Sequence, residues 1–128
     1  MRFIVDENLS PHMARGMREF GEQVEHLLDH FAMGTADETW LPVVGQREQI
    51  LITRDDSIRW RPAQLAALRR YKVGAFFLGG KNRSRCDLIR QIVRNWPRIK
   101  ERAAKEPRPF AFRIPPTGTK ITRIELKK

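Results

Sequence analysis

Cysteine is almost absent from this chain: its 128 residues include one, Cys86. A lone thiol excludes an intrachain disulfide and any cysteine-based zinc cluster, and it fits a reducing compartment, so the expected location is the cytoplasm. Long apolar runs are lacking too. The longest, near Val73 to Leu78, is far too short to cross a bilayer, and no charged-then-apolar leader opens the chain, so neither a membrane partner nor export is expected. Histidine is scarce. His12, His26 and His30 show no repeated metal-ligand spacing and read as structural or exposed side chains. Internal repeats and low-complexity tracts are missing as well.

What is present in excess is positive charge, and it is unevenly spread. Residues 1–80 hold 10 Lys/Arg against 11 Asp/Glu, a net of −1, whereas residues 81–128 hold 15 against 4, a net of +11. The last third is therefore expected to face a polyanion or, as the plainer alternative, to be a solvated basic helix. The length suits one compact domain.

The first apolar run, Phe3-Ile4-Val5, reads as a buried parallel strand that ends at once in Asp6, Glu7 and Asn8. A carboxylate at the end of a buried strand is costly to desolvate without a compensating cation. The crevice outside the carboxyl ends of parallel strands is also where ligands bind. The plainer alternative is helix capping, because Ser10-Pro11 opens a helix carrying Leu9, Met13, Met17 and Phe20 at helical spacing. A weak strand over 23–27 follows, then an acidic helix start at Thr35-Ala36-Asp37-Glu38, with a kink or late start expected at Pro42. Gln49 to Thr53 is a second buried strand, and it runs directly into Arg54-Asp55-Asp56-Ser57. Pro62 opens a helix to about Tyr71, and Val73 to Leu78 is a further strand. Gly79-Gly80-Lys81 lacks the spacing of a phosphate loop and reads as a turn.

From Ser84, the residues Leu88, Ile89, Ile92, Val93, Trp96 and Ile99 define the inner face of a helix capped by Ser84 and Asp87, expected to bend or break at Pro97. Its outer face carries Arg85, Arg90, Arg94, Arg98 and Arg102. After Glu106, alternating patterns over 110–114 and 122–126 predict a C-terminal hairpin. The fold class is thus α/β: a three-layer α/β/α arrangement with a mainly parallel central sheet, residues 1–106 forming the main unit and 107–128 a basic hairpin packed on it.

Three acidic pairs, Asp6-Glu7, Asp37-Glu38 and Asp55-Asp56, fall at loop or helix starts on one sheet edge. Clustered carboxylates repel unless a divalent cation sits among them, and hard oxygen donors select Mg²⁺ or Mn²⁺. Such a site polarises phosphoryl oxygens and activates water, the chemistry of phosphodiester cleavage. The candidate catalytic residues are Asp6, Asp37, Glu38 and Asp55, and the candidate metal ligands are these four with Asp56. Arg54, Arg59, Trp60, Lys81, Arg90, Arg94 and Arg98 are the candidate nucleic-acid contacts.

The blocks Phe3-Ile4-Val5-Asp6-Glu7-Asn8-Leu9-Ser10, Gly34-Thr35-Ala36-Asp37-Glu38 and Ile50-Leu51-Ile52-Thr53-Arg54-Asp55 together resemble the PIN-like domains of VapC-type toxin nucleases from bacterial toxin–antitoxin pairs. The resemblance spans roughly the first 80 residues. It implies a PIN-like fold, Mg²⁺ or Mn²⁺ dependence, an RNA substrate and a cognate antitoxin partner; whether the chain also forms a homodimer is left open by the sequence. In its terms Asp6 is the first-strand acid, Asp37 or Glu38 the helix acid, and Asp55 the acid after the next buried strand. The family commonly carries another acid two residues beyond Asp55. Here that residue is Ser57, so either Asp56 takes the place or the site has one ligand fewer. Two other readings compete with the ribonuclease. One is a catalytically silent module that binds nucleic acid or protein; the other is a phosphoacceptor receiver domain using Asp6-Glu7, Asp55 and Lys81.

Overall fold

The computed structural model describes residues 1–54 and 62–126. Its strands are β1 (Phe3–Val5), β2 (Val24–His26), β3 (Ile50–Arg54), β4 (Gly74–Leu78), β5 (Phe110–Ile114) and β6 (Thr122–Arg123). The helices are α1 (Pro11–Glu19), α2 (Asp37–Gln46), α3 (Pro62–Arg70) and α4 (Arg85–Lys105). The strands form one sheet in the order β2-β1-β3-β4-β5-β6, parallel throughout except for the antiparallel β5–β6 pair. The expected α/β class, parallel core and C-terminal hairpin are all present. β5 is itself the fifth parallel strand, paired along its length with β4. β6 is shorter than the alternation over 122–126 predicts: the strand is Thr122 and Arg123, and past it the Ile124 amide adds one bond to the Ala111 carbonyl at 2.8 Å.

The two faces of the sheet explain why the strands are apolar without a break. Phe3, Val5, Ile50, Ile52, Phe76 and Phe112 pack under α1 and α4, against Met13, Leu88, Ile92 and Ile99. Ile4, Leu51, Ala75 and Phe77 face the other way, onto Trp40, Leu41 and Val44 of α2 and Leu68 of α3. Alternate residues serve opposite cores, so both neighbours along a strand must be apolar. Each large side chain fully buried this way contributes about 1.5–3 kcal/mol. Gly45 of α2 lies against the Tyr71 carbonyl, where a Cβ would collide, and this close approach seats α2 beside the end of α3.

Several expectations about the helices are corrected. α2 runs four residues beyond Pro42, and α4 continues through Pro97 as a single helix of 21 residues. The carbonyls deprived of a donor belong to Glu38 and Val93, both exposed residues, so water can replace the missing bonds. Phe20 is exposed, as are Ile89 and Val93, which the spacing assigns to the inner face of α4. The buried stripe of α4 instead includes two amides, Gln91 and Asn95. Gln91 Nε2 donates to the carbonyls of Gly79, Ile114 and Pro115, each at 3.0 Å, and so fastens α4 to the carboxyl ends of β4 and β5.

Candidate functional site

The strand order reverses direction at β1. The chain leaves β1 for β2 on one side and returns to β3 on the other, so the crevice between the carboxyl ends of β1 and β3 is a switch point of the kind that accommodates ligands. Asp6 sits in it. Its backbone N–H continues the ladder to the Ile52 carbonyl at 2.9 Å, which sets Asp6 level with Thr53 of β3. The residue is fully buried. Thr53 Oγ1 donates to Asp6 Oδ2 at 2.8 Å, and Asn8 Nδ2 approaches the same oxygen at 3.4 Å. Glu7 points elsewhere: its Oε2 accepts from the Gly34 amide at 3.1 Å and ties the β1–α1 turn to the loop before α2.

Asp37 and Glu38 occupy the first turn of α2, and the cap residue is Ala36, which makes no side-chain hydrogen bond to the helix. The two acids therefore do not serve as the N-cap residue, although the helix dipole favours them there. Asp37 is partly buried and Glu38 exposed. Among the described residues, no three His, Cys, Asp or Glu side chains come close enough together to hold a metal ion. Asp55, Asp56, Ser57, Arg59 and Trp60 lie outside the described residues. β3 delivers the chain to Asp55 directly from Arg54, whose strand partner is Leu78 at the end of β4. The oxygens placed at the crevice are the Asp6 carboxylate and the Thr53 hydroxyl, hard donors of the kind that suit Mg²⁺ or Mn²⁺.

The histidines take structural parts. His26 is buried, with Nε2 2.7 Å from the Leu9 carbonyl and Nδ1 accepting from the Leu28 amide. His30 Nε2 lies 3.0 Å from Glu25 Oε2. Burial raises the Glu25 pKa, but hydrogen bonds from His30 and Gln49 and the nearby positive charge outweigh it, leaving a net lowering.

Beside Asp6, an open cleft of about 420 Å³ separates the start of α1 from the start of α4. Its polar lining is Glu7, Asn8, Ser10, Arg54, Arg83 and Arg85. Both helices are capped there, Ser10 accepting from the His12 amide and Ser84 from that of Asp87. Hydrogen bonds from the Ser84 hydroxyl and amide, aided by the charge of Arg83, lower the pKa of Asp87. Of the expected nucleic-acid contacts, Arg54 lines this cleft, and Lys81 is exposed on the β4–α4 connection. Arg90 is exposed on the outer side of α4, and Arg94 Nη2 reaches the Pro116 carbonyl at 3.5 Å. Arg98 lies farther along, in a second groove of about 280 Å³ with Arg102 and Lys120. Arg83 was not among the expected contacts, and Arg85, expected on the outer face of α4, is exposed at the start of that helix and lines the cleft. Their position flanking the Ser84 cap was the available signal, since a cap residue is held at the sheet edge by the turn that precedes its helix.

A family model described as a PIN-like domain matches residues 1–80. The chain belongs to the PIN-like domain family. The match ends within the β4–α4 turn, so it takes in Asp6, Asp37, Glu38 and Asp55, while α4, β5 and β6 lie beyond it. Comparisons with curated proteins and with solved structures give no match. Among the described residues, no helix of this PIN-like domain is long and apolar enough to cross a membrane.

Proposed function

We propose that this PIN-like domain is a metal-dependent endoribonuclease and the toxin of a type II toxin–antitoxin pair, acting in the cytoplasm on RNA and held in check by a cognate antitoxin. The observation that carries the reading is Asp6: a fully buried carboxylate at the switch point of a parallel sheet, oriented by Thr53 and adjoining an arginine-lined cleft. Asp6 would hold Mg²⁺ or Mn²⁺ together with Asp55 and Asp37 or Glu38, Asp56 standing in for the acid that Ser57 does not supply. The bound ion supplies charge neutralisation at the phosphodiester and activation of water. Thr53 and Asn8 fix the carboxylate in place. The arginines of the cleft draw phosphates toward an acidic centre that would otherwise repel them.

One observation favours a second reading, a catalytically silent module that binds nucleic acid or protein: the described lining of the cleft beside Asp6 carries three arginines against one carboxylate, a surface that holds an anion without any chemistry. End-labelled RNA incubated with Mg²⁺ and with a chelator separates the two. The ribonuclease reading expects internal cleavage with Mg²⁺, none with chelator, and a loss of at least about a hundredfold in Asp6→Asn, the scale on which a group stabilising transition-state charge acts. RNA that is bound but left intact by both proteins would support the silent module.

A further inference from the structure

We propose that the cleft between the starts of α1 and α4 is a subsite for a terminal phosphate monoester, so that the protein distinguishes phosphorylated RNA ends from unphosphorylated ones. The proposal rests on the ribonuclease reading for its substrate class. It rests on the cleft itself for its chemistry.

Three guanidiniums, Arg54, Arg83 and Arg85, line the cleft against one carboxylate, Glu7, a net of +2 among the described lining residues. Arginine stays charged at every physiological pH. None of the three forms an ion pair with a described carboxylate. Glu7 is turned to the Gly34 amide, and Asp87, whose carboxyl feels the charge of Arg83, is turned to the Ser84 amide. A backbone phosphodiester carries a single negative charge. A phosphate monoester carries about −1.5 to −2 at neutral pH, which is the charge this lining matches. Arg83 is also held in advance: Nη2 donates to the Pro116 carbonyl at 3.0 Å, and Nε is buried with no hydrogen-bond partner among the described residues. A fork fixed in this way loses little freedom when it meets a second set of oxygens. A volume of about 420 Å³ admits more than one phosphate group and falls within the usual range for small-ligand sites.

The test uses the full chain in chelator, so that binding is read without cleavage, and three dye-labelled single-stranded RNA octamers: one with a 5′-phosphate, one with a 3′-phosphate and one with neither. One phosphorylated octamer is expected to bind about tenfold or more tightly than the bare one, as hydrogen bonds to a charged group imply, and its identity shows which end is read. Arg54→Gln/Arg85→Gln should abolish that preference. Should the pair fail to fold, Arg85→Gln alone, at an exposed position, should reduce it. Equal affinity for all three octamers, no binding of any of them, or a preference that survives in the variants would overturn the subsite. Cleavage in Mg²⁺ without any end preference would overturn the subsite and leave the ribonuclease reading standing. An end preference without cleavage would uphold the subsite and remove the ribonuclease reading.

Discussion

Thr53 ends an apolar strand with a hydroxyl, and that hydroxyl has a definite use. It is fully buried and donates to a fully buried carboxylate. Hydrogen bonds to charged groups contribute about 1.5–3 kcal/mol each, more than neutral ones. Thr53→Val keeps the shape and removes the donor, so it should lower unfolding stability by about that amount, read as a lower denaturant midpoint with an unchanged slope. A midpoint equal to wild type would mean that the Thr53–Asp6 bond carries nothing. At this scale the sequence was readable where a residue type broke a pattern. Asp6 stood out because an acid interrupts a buried strand. Thr53 did not stand out, because threonine is at home in strands and its partner is 47 positions away. Arg83 was hidden for a similar reason: a guanidinium in a basic segment is unremarkable until the fold brings Arg54 to the same cleft.

At the scale of elements, local chemistry was the most legible part. The Ser10-Pro11 start of α1 and the Ser84/Asp87 capping box of α4 are where the sequence places them, because caps are decided within four residues. Pro42 does not delay the start of α2, and Pro97 does not break α4. Pro42 and Pro97 each remove one hydrogen bond, but each frees a carbonyl of an exposed residue, and tertiary packing carries the helix through. The inner face of α4 also departs from the spacing, since Gln91 and Asn95 are buried to meet backbone carbonyls at strand ends and within the helix, while Ile89 and Val93 remain outside. Gly45 gives a test of element packing. Alanine would improve helix propensity by about 1 kcal/mol, but its Cβ would strike the Tyr71 carbonyl, a backbone atom that cannot swing aside. Overpacking of this kind costs about 1–3 kcal/mol, so Gly45→Ala should lower the melting temperature. A raised melting temperature would show that α2 and α3 separate without penalty.

For the whole molecule, strand order places the site and family membership interprets it. The order 2-1-3-4-5 of the parallel strands also occurs in other doubly wound folds, including those behind the phosphoacceptor reading, so topology alone does not choose a chemistry. The PIN-like match covers residues 1–80, and the excess of positive charge falls in residues 81–128, beyond that match. A buried carboxylate from the first part of the chain, Asp6, thus adjoins a cleft in which two of the three arginines, Arg83 and Arg85, come from the second. The central claim, that Asp6 anchors a divalent cation, is tested most directly by melting wild type and Asp6→Asn across a titration of Mg²⁺ or Mn²⁺. Asparagine retains an oxygen that can accept from Thr53, so the variant should fold, and a ligand bound only by the folded state stabilises it as RT ln(1 + [L]/Kd). The account predicts a wild-type melting temperature that climbs with the logarithm of metal concentration and an Asp6→Asn curve that stays nearly flat. Equal shifts in the two proteins, or no shift in wild type, would contradict it.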